Sequence, residues 1–89
     1  MQEGRDLSKY DGLRDHLRTR GGEVTYSLEE VAGLVPGGLP PSAYRHAAWW
    51  SNGDRTHSHS RSWEDAGYTA HPDLALRRVR FVPTPHISR

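Results

Sequence analysis

Glu23-Val24-Thr25-Tyr26-Ser27-Leu28-Glu29-Glu30 sets a strand pattern directly against the start of a helix. Val24 and Tyr26 fall on one face of an extended chain, because side chains alternate with period two in a strand. Ser27 followed three residues later by Glu30 is a capping box: the hydroxyl and the carboxylate each take one of the backbone N–H groups that a helix start leaves without an internal partner. The strand therefore ends where the helix begins. Leu28, Val31 and Leu34 or Val35 supply an apolar stripe for about two turns, until Pro36-Gly37-Gly38 stops the helix.

Working back toward the N-terminus, Tyr10, Leu13 and Leu17 recur at helical spacing. They predict a helix from about Lys9 to Arg20, capped by Ser8 and ended by Gly21-Gly22. Working forward, Leu39-Pro40-Pro41-Ser42 is a stiff connection, and Pro41 suits the first position of a brief helical turn through Ala43 to Arg45. Ala47 to Ser51 reads as extended or irregular, and Asn52-Gly53-Asp54-Arg55 carries turn chemistry. A third helix is predicted from about His57 to Ala66, with Trp63 and Ala66 on one face and Gly67 at the left-handed C-cap position. Tyr68–Ala70 and Val79–Val82 read as two strands of a hairpin.

The order helix, strand, helix, turn, helix, hairpin is that of a winged helix. The expected fold is α+β: a small winged-helix-like domain of three helices with a short antiparallel sheet. Residues 1–8 are expected to be a flexible N-terminus, 9–82 a single domain and 83–89 a disordered tail. The Ala43 to Asn52 segment puts more chain before the third helix than the few-residue turn of the standard motif allows.

A chain of 89 residues with a mean hydropathy of -0.85 has material for one modest core, so its three Trp and four Tyr count heavily. The absence of cysteine excludes disulfides and thiolate zinc sites. No apolar run approaches a membrane span and the first residues lack a signal-peptide core, which implies a cytoplasmic protein with no membrane partner. Charge is uneven. Residues 1–35 carry five Lys/Arg against seven Asp/Glu, and residues 36–89 carry seven against four. Eleven of the twelve basic residues are Arg, whose planar fork suits phosphates and guanine edges, although a bias in codon usage produces the same excess.

The candidate functional surface lies between Arg45 and Arg61. Adjacent Trp residues in an extended segment point to opposite faces, so one of Trp49 and Trp50 is expected in the core and the other, taken as Trp50, at the surface. With Arg45, Asn52 and Arg55 it would offer cations, an amide and a ring to bases or phosphates. His57, Ser58, Ser60 and Arg61 gather polar donors at the start of the third helix, where the macrodipole also favours an anion. Ordinary capping and a solvated helix face account for the same residues. Arg77, Arg78 and Arg80 read either as a wing against phosphates or as the guarded solvent face of an edge strand. His57 and His59, with His46, His71 or Asp54, have only an H-x-H spacing to suggest a metal, and neither paired carboxylates nor a nucleophile signature supports hydrolysis. No cofactor and no metal is expected, and the protein is expected not to be an enzyme.

Several stretches resemble a family of small bacterial domains of unknown function. They are Tyr10-Asp11-Gly12-Leu13, Val24-Thr25-Tyr26-Ser27-Leu28-Glu29-Glu30, Leu39-Pro40-Pro41-Ser42-Ala43, Ala48-Trp49-Trp50-Ser51-Asn52, His57-Ser58 and Trp63-Glu64-Asp65-Ala66-Gly67-Tyr68. The resemblance runs from Tyr10 to Val82. Such domains stand alone or beside nuclease-type modules, which implies an accessory role on DNA. The expected function is therefore DNA binding through the His57–Arg61 helix start. The alternatives are a protein-interaction or homodimerisation module using the Trp49/Trp50 patch and, behind both, a small metal-dependent hydrolase.

Overall fold

The computed structural model describes residues 9–52 and 58–84. Among them are helix α1 (Asp11–Arg18), strand β1 (Val24–Ser27), helices α2 (Leu28–Ala32) and α3 (Pro41–Arg45), a 3-10 turn (Ala47–Trp50), helix α4 (Ser58–Asp65) and strands β2 (Tyr68–Asp73) and β3 (Arg78–Pro83). The strands form one antiparallel sheet in the order β1-β3-β2. The expected α+β class and element order are both present, with the segment before α4 carrying a fourth short helix and a 3-10 turn.

The capping box forms as read: the Glu30 N–H donates to Ser27 Oγ at 2.9 Å, and the Ser27 N–H donates to Glu30 Oε1 at 2.7 Å. α2 is shorter than its apolar stripe suggested, ending at Ala32. α1 starts at Asp11 behind Tyr10, which supplies no side-chain cap, while the proposed cap Ser8 lies outside the described residues, as does most of the 83–89 tail. Pro41 opens α3 as its chemistry requires. Gly67 adopts φ 88, the left-handed cap expected after α4.

β2 and β3 run six residues each, longer than the hydrophobic pattern implied. Their turn, Leu74 to Arg77, is held by Asp73 Oδ1, which accepts from the Leu76 N–H at 3.2 Å. Arg77 takes φ 55 there. Its guanidinium donates to the Glu29 carboxylate of α2 and lies 5.3 Å from the Tyr44 ring centroid. The hydrogen bond from Arg77 is the chief reason that the Glu29 carboxyl sits below its ordinary pKa.

One sheet face is buried. Tyr68, Ala70, Val79 and Phe81 meet Leu13 and Leu17 of α1, Leu28 and Val31 of α2, Ala43 of α3, Trp50 and Trp63. The opposite face presents Thr25, His71, Asp73, Arg78 and Arg80. The solvent-facing Arg residues of β3 are therefore on the central strand, not on an edge as one reading of the sequence had it.

α1 approaches the chain after α2 so closely that a β-carbon on Gly12 would stand 2.9 Å from the Leu34 carbonyl oxygen. Alanine at a helical site normally gains about 1 kcal/mol over glycine. At Gly12 the overpacking, typically about 1–3 kcal/mol, should outweigh that gain. Gly12→Ala is expected to lower Tm, and a raised Tm would show that the helix moves away without cost.

Candidate functional site

Ala47 to Ser51, read as extended or irregular, is not extended: Trp49 N–H donates to the His46 carbonyl at 3.0 Å and Ser51 N–H to the Ala48 carbonyl at 3.1 Å, winding the segment into a 3-10 turn. Adjacent side chains then differ by about a third of a turn instead of half. Trp50 enters the core and Trp49 lies beside it, half-buried. Trp50 is 0% exposed, so it is not the outward ring of a contact surface. Its indole N–H donates to the Ala43 carbonyl at 2.9 Å, tying the 3-10 turn to α3. Its ring stacks on Trp63 at 5.5 Å and meets Phe81 edge-on at 6.4 Å.

Asn52 is also committed to the fold. Its Oδ1 accepts from the Ala70 N–H at 2.8 Å and from Trp63 Nε1–H at 3.0 Å, while its Nδ2 donates to the Ala70 carbonyl at 2.9 Å. The amide thus acts as a one-residue strand against the outer edge of β2. Because Ala70 spends its N–H and C=O on Asn52, the alternation of an antiparallel ladder turns Pro72 toward the same edge, where its missing N–H deprives no neighbour. Asn52 and Pro72 together blunt an edge that would otherwise pair with another strand.

On α4, Ser60 is buried and cannot meet a ligand at the surface, against the expectation from its polarity. Ser62 is buried too, its hydroxyl donating to the His59 carbonyl at 2.6 Å. Trp63 completes the inner side. The outward stripe is Ser58, Arg61 and Asp65, with Ser58 half-buried and the other two exposed. His59 lies flat on Trp49, ring centroids 4.0 Å apart and planes 6° from parallel, with Tyr10 5.8 Å away. Burial raises the Tyr10 phenol pKa, which keeps that ring neutral over the physiological range. Arg45 is exposed at the end of α3. Arg55 and His57 lie outside the described residues.

Of the eight site residues read from the sequence, Arg45, Ser58 and Arg61 keep a surface position, whereas Trp50, Asn52 and Ser60 are scaffold. The half-buried ring at this surface is Trp49, already occupied on one face by His59. Among the described residues no group of three or more His, Cys, Asp or Glu is placed to hold a metal ion.

Sequence reading did not gather a second feature. The open face of the sheet forms a shallow groove of about 440 Å³ lined by Thr25, His71, Pro72, Asp73, Arg78 and Arg80. The alternation Arg78-Val79-Arg80-Phe81 announces two outward Arg residues, but their placement on a central strand depends on β1 pairing with β3, which no local pattern reveals.

A family model described as a domain of unknown function, DUF7662, matches residues 10–82. The chain belongs to this family. The resemblance read from Tyr10 to Val82 covers the same residues, and the stretches that carry it, Tyr10 to Tyr68 in this chain, have a common structural explanation. Leu13, Ala43, Trp50, Asn52, Trp63 and Tyr68 are core or core-bracing residues; Tyr68, for instance, donates from its hydroxyl toward the Arg20 and Gly22 carbonyls at 3.2 and 2.9 Å. No curated protein and no solved structure gives a match. No helix among the described residues is long and apolar enough to cross a membrane.

Proposed function

We propose that this domain binds DNA and presents the N-terminal half of α4 to the duplex. The observation that carries the reading is the outward stripe of α4, which opens with Ser58 and Arg61, on a helix that occupies the third-helix place of a winged-helix order backed by a β1-β3-β2 sheet. A recognition helix contacts base edges through its first residues, and an Arg fork is the commonest reader of guanine. Asp65 closes the same stripe at the far end, where a carboxylate would be repelled by phosphates. The helix should therefore enter a groove with its N-terminus leading. Arg45 stands at the end of α3, just before the turn that carries Trp49 onto α4, and is assigned to the phosphate backbone. Arg55 and His57 immediately precede α4 in sequence and extend the same run of donors.

Trp50 and Asn52 brace the turn and the sheet edge behind the reader helix and do not touch the ligand. Trp50 is buried and Trp49 is stacked under His59, so the Trp pair does not offer the open aromatic patch that a protein-interaction module would use. In a mobility-shift assay on random duplex DNA at about 50 mM salt, where phosphate contacts are strong, a retarded complex is expected. The absence of any complex under those conditions would remove the proposal.

A further inference from the structure

We propose that the open face of the sheet is a second, independent site, a groove that takes a small phosphate-bearing anion of up to nucleotide size. Arg78 and Arg80 project from the same face of β3, about 7 Å apart by the rise of a strand. β3 is the central strand, so these charges have no edge to protect from pairing. Across the ladder, Arg80 faces Thr25 on one side and His71 on the other, and Arg78 faces Ser27 and Asp73. Like charges set close on one sheet face repel unless something neutralises them.

The acidic neighbours do this only in part. Asp73 is directed to the hairpin turn, accepting from the Leu76 N–H. Glu23 reaches Arg80 at 3.4 Å in a pair about half exposed on both sides, an arrangement of small worth that an arriving anion displaces readily. Arg78 makes no ion pair with a described residue. His71 Nε2 is engaged with Thr69 Oγ1 at 2.8 Å, which fixes the ring over the strand and leaves Nδ1 as its free polar atom.

The groove of about 440 Å³ therefore combines two guanidinium forks, a threonine hydroxyl and an imidazole with Pro72 and one carboxylate, Asp73 at the hairpin end, so cations outnumber anions in its lining, and its volume falls within the usual range of small-ligand sites, about 300–1,000 Å³. Paired Arg forks match the bidentate geometry of phosphate oxygens. α4 packs behind the opposite, buried face of the sheet, so this groove and the DNA surface proposed above do not share residues.

The probe is inorganic pyrophosphate, titrated at constant ionic strength into the 15N-labelled chain. The expected result is saturable shifts confined to the amides of Thr25, His71, Arg78 and Arg80, with a Kd of about 1 mM or tighter. Arg78→Gln, an exposed substitution that leaves the fold intact by circular dichroism, should weaken binding at least tenfold, and Arg61→Ala should titrate like the parent. Shifts that stay linear and spread over the chain, or an Arg78→Gln variant that binds as well as the parent, would overturn the proposal. So would groove shifts that appear with duplex DNA but not with pyrophosphate, because the site would then be a backbone contact.

Discussion

Trp50→Ala is expected to cost about 3–5 kcal/mol, the usual range for emptying a large aromatic site in a core. A domain of this size has about 5–15 kcal/mol in all, so the variant should be largely unfolded well below the melting temperature of the parent. Trp50 is fully buried, stacks on Trp63, meets Phe81 and Trp49 edge-on, and donates its indole N–H to Ala43. Its removal leaves a cavity at the junction of α3, α4 and the sheet and also strips the Ala43 carbonyl of its donor. Trp50→Phe keeps most of the apolar area and loses the hydrogen bond, so a smaller loss of about 1–2 kcal/mol is expected. Urea denaturation measures both. A loss under about 1 kcal/mol for Trp50→Ala, below the range for core truncation, would mean that the ring is not the centre of the core.

Asn52→Ala should be nearly as damaging even though Asn52 itself is exposed by area. The change removes three hydrogen bonds at once and leaves the Ala70 N–H, the Ala70 C=O and Trp63 Nε1–H without their partner. Each unsatisfied group costs about 1–3 kcal/mol where water cannot replace the partner. Water reaches part of this site, so a total of about 2–4 kcal/mol is expected, with faster hydrogen exchange at the Ala70 amide. Asn52→Asp sharpens the test. An ionised carboxylate still accepts from the Ala70 and Trp63 N–H groups, but it opposes the Ala70 carbonyl with a second oxygen. At neutral pH Asn52→Asp should therefore fall short of the parent by about 1–2 kcal/mol, because one hydrogen bond is lost and an oxygen is set against the Ala70 carbonyl. A variant that melts with the parent would show that the bond from Asn52 to the Ala70 carbonyl contributes little.

These two positions also show where sequence reading stops. The capping box at Ser27 and Glu30, the Pro41 helix start, the Gly67 cap and the hairpin are local, each decided by residues within four or five positions, and each stands in the structure. Trp50 and Asn52 stand out in the sequence as candidate contact residues, and in the structure their polar groups bond within the fold. Their partners lie seven, eleven and eighteen residues away, and a polar group next to Gly53 gives no local sign that it will brace a strand edge. Ser60 misled for a related reason. A small hydroxyl on the inner side of α4 lets that helix pack close to its neighbours, and helix separation is set by the side chains at the contact. Its polarity pointed outward while its size pointed in. The groove across the sheet needed the strand order, which depends on β1 reaching over to β3.

In the proposed function α4 faces DNA through Arg61 while Trp50 and Asn52 hold it from behind. Duplex binding followed by fluorescence anisotropy across a salt series, for the parent and for Arg61→Ala, tests this most directly. The parent should lose affinity steeply with salt, with a slope of about −0.9 for each phosphate neutralised. Arg61→Ala should fold normally and bind about tenfold or more weakly, the cost of losing one base-reading or phosphate-bound Arg. A folded Arg61→Ala variant with the parent's affinity and salt slope would contradict the account.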